Sequence, residues 1–149
     1  KNDKMPFEID FLSIDIDSND ICCLKALNKI RPRLICIEYN AKFPPNIDIS
    51  IDNKRQIYQW NYDDYFGSSL SYIEKEMKKI NYKLISTNIA GTNAFFTLKK
   101  LYSRCKTQGQ TINDLYMPAN YNLFDYYITH RPTNKYLNDK LKKKNWIIL

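Results

Sequence analysis

Glycine is scarce: only 3 of 149 residues. Loops that wrap phosphates need several glycines at close spacing. A complete nucleotide-binding domain is therefore not expected from this chain alone. The four cysteines, Cys22, Cys23, Cys36 and Cys105, form no Cys-x-x-Cys pair, which leaves a zinc or dithiol site without its usual spacing. They read as free thiols in a reducing compartment, so the expected location is cytoplasmic. His130 is the single histidine. No P-loop, Gly-x-Ser-x-Gly or Cys–His pattern accompanies it. No apolar run reaches about 18 residues and no secretory signal is present, so no transmembrane segment is expected. The chain opens on Lys1, not Met, which predicts a fragment or a processed product.

What is present suits a folded domain. Hydrophobic residues make up 44% and aromatics 14%, enough for a real core and too much for wholesale disorder. The net charge of +7 is unevenly spread, because residues 102–149 hold 8 Lys and Arg against 3 acids. The plain reading of that end is a solvated, Lys-rich surface. Its Tyr and Lys interleave as a stacking groove would need, yet no RNA- or DNA-binding motif is present, so nucleic acid is not an expected partner. The pattern divides the chain into a main domain, 1–101, and a Tyr- and Lys-rich extension, 102–149.

Phe7–Asp17 reads FEIDFLSIDID, a β-branched apolar run that predicts a strand buried on both faces of a parallel sheet. Ser18 offers a helix N-cap. Ile21, Leu24, Leu27 and Ile30 follow at helical spacing until Pro32. RLICIEY, 33–39, predicts a second strand. Strand, helix and strand in about 30 residues make a βαβ unit with a right-handed crossover. Residues 41–66 read as a long loop. Its aromatics Tyr58, Trp60, Tyr62, Tyr65 and Phe66 are either a lid or anchors over the core. Ser68 or Ser69 caps the next helix, and Ser71 with Glu74 has capping-box spacing. Leu70, Ile73, Met77 and Ile80 form its core-facing stripe, and Asn81 ends it. Tyr82–Thr87 and Asn93–Lys99, joined by a turn containing Gly91, predict an antiparallel hairpin. A short basic helix is expected over Tyr136–Lys144. The fold class is therefore α/β: parallel strands, a terminal antiparallel hairpin and an irregular basic tail.

In open parallel sheets, ligands bind beyond the carboxyl ends of the strands. The first strand ends in Asp15-Ile-Asp17 and the second in Glu38-Tyr-Asn40. Neighbouring strands would bring Asp15, Asp17, Glu38 and Asn40 to one rim. Three carboxylates and an amide oxygen suit a hard cation such as Mg²⁺, Mn²⁺ or Ca²⁺. A cation there would relieve the repulsion among the carboxylates. Asp15 or Asp17 could also serve as a general base. The competing reading is that these acids cap helices and hold loops. His130 reads as a surface or packing residue, or as a base delivered over the rim.

The runs IDFLSIDIDSND, RPRLICIEYN and YFGSSLSYIEKEMKKINYKLISTNIAGTNAFFTLKK, covering residues 7–100, resemble together the C-terminal half of FkbM-type, Rossmann-like methyltransferases. The resemblance implies an order of strand, helix, strand, long loop, helix and hairpin. It also implies S-adenosylmethionine as cofactor and O-methyl transfer to a sugar or other small hydroxylated acceptor, a glycan included. In metal-dependent relatives, acids at these strand ends hold Mg²⁺. Asp15 and Asp17 match the first group and Glu38 and Asn40 the second; catalysis falls to Asp15 and Asp17. The family's glycine-rich cofactor loop and ribose-binding acid belong to strands not represented in the chain, and Ser18 stands where many relatives have Gly. On this reading the first strand has an open edge, expected to meet a covering chain or a second copy.

Two rivals remain. Asp15-x-Asp17 is also the D-x-D pattern of nucleotide-sugar glycosyltransferases that hold Mn²⁺ on a diphosphate, although about a hundred residues of nucleotide-binding fold should precede it. The other rival is a non-catalytic domain that binds a partner through its open edge or its Tyr-rich tail.

Overall fold

The computed structural model describes residues 9–27, 29–52 and 63–120, together with the backbone of 146–148. A four-stranded mixed sheet carries the fold. Its strands are β1 (Phe11–Ile14), β2 (Leu34–Glu38), β4 (Tyr82–Thr87) and β5 (Asn93–Leu98), in the spatial order β1-β2-β5-β4. β1 and β2 are parallel, with Ile14 beside Ile37. The helix between them, α1 (Asp20–Ala26), completes the expected strand–helix–strand unit. The β4–β5 hairpin is antiparallel, and β5 inserts between β2 and β4. Only the hairpin's second strand returns beside β2, so its first strand takes the outer edge.

One sheet face is covered by helices. Ile14, Ile35, Ile37, Leu84, Ala94 and Phe96 share that face and are buried. α2 (Leu70–Lys79) packs there through Leu70, Ile73 and Met77, all at most 1% exposed. Full burial of each such side chain contributes about 1.5–3 kcal/mol. Ser69 starts α2 and does two jobs. Its Oγ accepts the N–H of Tyr72 at 3.3 Å and that of Ile49 at 3.1 Å. The capping-box spacing of Ser71 and Glu74 is not used: Ser71 donates to the carbonyl of Pro45. Asn81 follows α2 at φ 66°, the left-handed conformation expected of it.

Several expectations are corrected. β1 is not buried on both faces: Ile14 on one face is buried, whereas Phe11 on the other is 52% exposed. The N-cap of α1 is Asn19, not Ser18, and α1 ends at Ala26, well before Pro32. The long loop contains a short strand, β3 (Ile49–Ile51), whose backbone pairs with that of β6 (Trp146–Ile148). Within the loop, Tyr65 and Phe66 are buried anchors; Tyr58, Trp60 and Tyr62 lie outside the described residues. So do His130 and the expected helix over Tyr136–Lys144.

The start of the extension packs on the sheet. A 3₁₀ segment (Lys99–Arg104) leads to the short helix α3 (Ile112–Leu115), which has a Thr111–Asp114 capping box. Beyond it, Tyr39 donates to Met117 O at 2.5 Å and Tyr116 donates to Ala41 O at 2.6 Å. Those two bonds tie residues 116–117 to the chain leaving β2. No helix among the described residues is long and apolar enough to cross a membrane.

Candidate functional site

The parallel register fixes the site. Ile14 and Ile37 are partners, so the residues that follow them, Asp15 and Glu38, leave the sheet at the same level. One carboxylate oxygen from each of Asp15, Asp17 and Glu38 lies within 4.8 Å of the other two. Asp15 and Asp17 are exposed and Glu38 is half-buried. Ligand oxygens about 2.1 Å from a single Mg²⁺ or Mn²⁺ stand roughly 3–4.2 Å apart, so a triad whose oxygens lie within 4.8 Å of one another needs at most a small inward shift to hold one hard cation.

Electrostatics bear out the crowding. Burial, and then Asp20, Asp15 and Asp17, push the Glu38 carboxyl up to about 8. Burial and the neighbouring Asp17 raise Asp15. Like charges this close disfavour full ionisation unless a cation compensates.

Asn40 does not join this group. It is fully buried beneath the following loop. Its Nδ2 donates to Asp64 O at 3.0 Å and Phe66 O at 3.1 Å, and its Oδ1 accepts the N–H of Lys42. Both amide donors are engaged in holding residues 64–66, where Lys42 also pairs with Asp64. Asn40 thus shapes the rim rather than lining it. Strand alternation aligned it with Glu38 in the sequence, but β2 ends at Glu38 and the backbone turns away.

Asp20 was overlooked as a site residue. It opens α1 and is 2% exposed. Its Oδ1 accepts the N–H of Ile16 at 3.0 Å, folding the Asp15–Asp20 turn back on itself. Its Oδ2 has no hydrogen-bond partner among the described residues. Burial raises its carboxyl to about 6, against the backbone amides of Ile16, Asp20 and Ser18 and with a further push from Asp15. The one available sequence signal was an acid on the first helical turn after a strand that itself ends in acids.

The turn has two further unusual features. Asp17 adopts φ 54°, a left-handed conformation that a non-glycine residue holds only where its surroundings impose it. Ser18 is buried, with its carbonyl accepting Gly67 N–H at 2.9 Å and its Oγ without a hydrogen-bond partner among the described residues. That contact docks the turn on the segment leading into α2. Glu38 Oε2 and Asn19 Oδ1 are also buried without hydrogen-bond partners among the described residues. The strand ends therefore concentrate acids and unsatisfied polar atoms in one place.

Comparison with protein-family models, curated proteins and solved structures found no match.

Proposed function

We propose that this chain is the cation- and acceptor-binding half of an S-adenosylmethionine-dependent O-methyltransferase domain, acting on a sugar or other small hydroxylated acceptor. The observation that carries this reading is the convergence of Asp15, Asp17 and Glu38 at the carboxyl ends of two parallel strands. Ligands of open α/β sheets gather at that edge. The order of strand, helix, strand, long loop, helix and hairpin agrees with the order the methyltransferase resemblance implies, which supports a Rossmann-like identity for the sheet.

Asp15, Asp17 and Glu38 would hold the cation, and Glu38 Oε2, which has no hydrogen-bond partner among the described residues, fits that demand. A bound Mg²⁺ or Mn²⁺ supplies Lewis acidity, lowering the pKa of an acceptor hydroxyl. The exposure of Asp15 and Asp17 leaves the rim accessible to such an acceptor. Either aspartate can then take the hydroxyl proton. The nucleoside of S-adenosylmethionine finds no glycine cradle here. Gly67 precedes α2 by way of an extended serine pair, Gly91 sits in the hairpin turn and Gly109 lies beyond the 3₁₀ segment. No step is therefore assigned to the methyl donor.

Manganese binding, followed by electron paramagnetic resonance, tests the reading. The wild type should bind one Mn²⁺, and Asp15→Asn and Glu38→Gln should each lose at least about tenfold in affinity. With Mn²⁺ present, greater thermal stabilisation by S-adenosylhomocysteine than by a UDP-sugar supports the methyltransferase. The reverse order supports the glycosyltransferase use of Asp15-x-Asp17. No Mn²⁺ binding by the wild type overturns the cation site.

A further inference from the structure

Asp20 is a buried acid whose charge the fold leaves half-answered. Oδ1 is satisfied by the Ile16 amide at 3.0 Å, whereas Oδ2 is buried with no partner among the described residues. A carboxylate oxygen in that state costs free energy unless something in the functional state satisfies it. Two facts say where that something lies. Its bond from the Ile16 N–H sets the Asp20 carboxyl against the backbone between Asp15 and Asp17. It is nevertheless not part of the set of carboxylates close enough to share one ion, which comprises Asp15, Asp17 and Glu38. Asp20 therefore borders the triad without entering it.

We infer that Asp20 is a positioning residue of the cation site, its Oδ2 accepting a hydrogen bond from a water on the ion held by Asp15, Asp17 and Glu38. This rests on the cation reading above and assigns a fourth carboxylate to the same site. Hard divalent ions, Mg²⁺ above all, keep several of their waters when bound by a few carboxylates. Those waters are strong donors and need fixed acceptors. Asp20 is suited to be one. Its other oxygen is tied to the backbone of the turn that carries Asp15 and Asp17, so one side chain sets both the ligands and the water. Ser18 Oγ, buried in the same turn without a hydrogen-bond partner among the described residues, offers a second polar group for the same hydration sphere.

The conservative variant separates this role from a merely structural one. Asp20→Asn keeps an oxygen for the Ile16 N–H and removes the charge. Without divalent cation, its melting temperature should equal or exceed that of the wild type, because a buried, crowded charge is gone. Its Mn²⁺ affinity should fall 10- to 100-fold, the range for residues that orient metal ligands without touching the ion. A structural role alone predicts unchanged Mn²⁺ affinity, and that result overturns the inference. Asp20→Ser provides a second substitution, with folding checked by circular dichroism. Retained Mn²⁺ binding in both folded variants, alongside its loss in Asp15→Asn, overturns the role of Asp20 alone. Absence of Mn²⁺ binding in the wild type overturns the site and this role together.

Discussion

Asp15 and Glu38 directly follow Ile14 and Ile37, which are partners in the parallel register of β1 and β2, so two carboxylates from adjacent strands end at one height. Neither strand could present this pair alone. With Asp17 they form a triad whose oxygens lie within 4.8 Å of one another. Their mutual repulsion gives the site a pH signature.

Burial and its acidic neighbours push the Glu38 carboxyl up to about 8 in the folded chain, against about 4.3 when unfolded. Between those values the folded chain holds more protons than the unfolded chain. Its stability should therefore fall as pH rises across that window. Asp20, raised to about 6, adds the same sign over the lower part. A divalent cation favours the ionised form, so its stabilising effect should grow as pH rises. Melting temperatures between pH 5 and 8.5, in EDTA and in Mn²⁺, measure both trends. Glu38→Gln should flatten the EDTA curve relative to the wild type. A wild-type curve that climbs through this window relative to Glu38→Gln would contradict the site's electrostatics.

The backbone at Asp17 supplies a second test. Its φ of 54° costs an ordinary side chain about 1–2 kcal/mol, a cost that glycine avoids. Asp17→Gly should be at least as stable as the wild type in EDTA, since it also removes one of the crowded charges. Asp17→Ala keeps the strain and should be roughly 1 kcal/mol less stable than Asp17→Gly. Both should bind Mn²⁺ at least about tenfold more weakly. Urea unfolding in EDTA, paired with Mn²⁺ titration, reads stability and binding separately. Equal stability of the Ala and Gly variants would mean that Asp17 holds no strain.

The triad was legible in the sequence because it depends on short-range facts. Two continuous apolar runs separated by a helix must lie parallel, and the acids sit at the end of each run. Asn40 and Asp20 were not legible, because each is decided by where the chain goes next. Asn40 is drawn inward by the carbonyls of Asp64 and Phe66, more than 20 residues on. Asp20 is buried by a turn that closes on Ile16. Similarly, β3 is only three residues long and pairs with residues nearly a hundred positions away, beyond the reach of local periodicity. The open edge of β1 was expected, but its continuous apolar run read as burial on both faces, whereas the face carrying Phe11 is left exposed. Whether another layer covers a face is a tertiary fact that composition does not reveal.

Two glycines with the same backbone preference should respond differently to the same change. Gly91 has φ 67° and Gly109 has φ 83°, so Ala is strained at both by about 1 kcal/mol. At Gly109 an added Cβ meets nothing within 4 Å among the described residues, and that strain is the expected cost. At Gly91 the Cβ would stand 2.2 Å from Pro118 O and 2.8 Å from Met117 O. These are backbone atoms that no rotamer change can move. The segment from Leu115 to Asn120 would have to lift from the hairpin. That would endanger its bonds from Thr87 to Leu115 O, from Tyr39 to Met117 O and from Asn120 to Ala90 O. Gly91→Ala should therefore cost about 3 kcal/mol or more in urea unfolding, as overpacking is added to strain. It should also speed limited trypsin digestion of the chain, while Gly109→Ala leaves the cleavage rate near that of the wild type. Equal losses in the two variants would show that residues 115–120 do not rest on the hairpin turn.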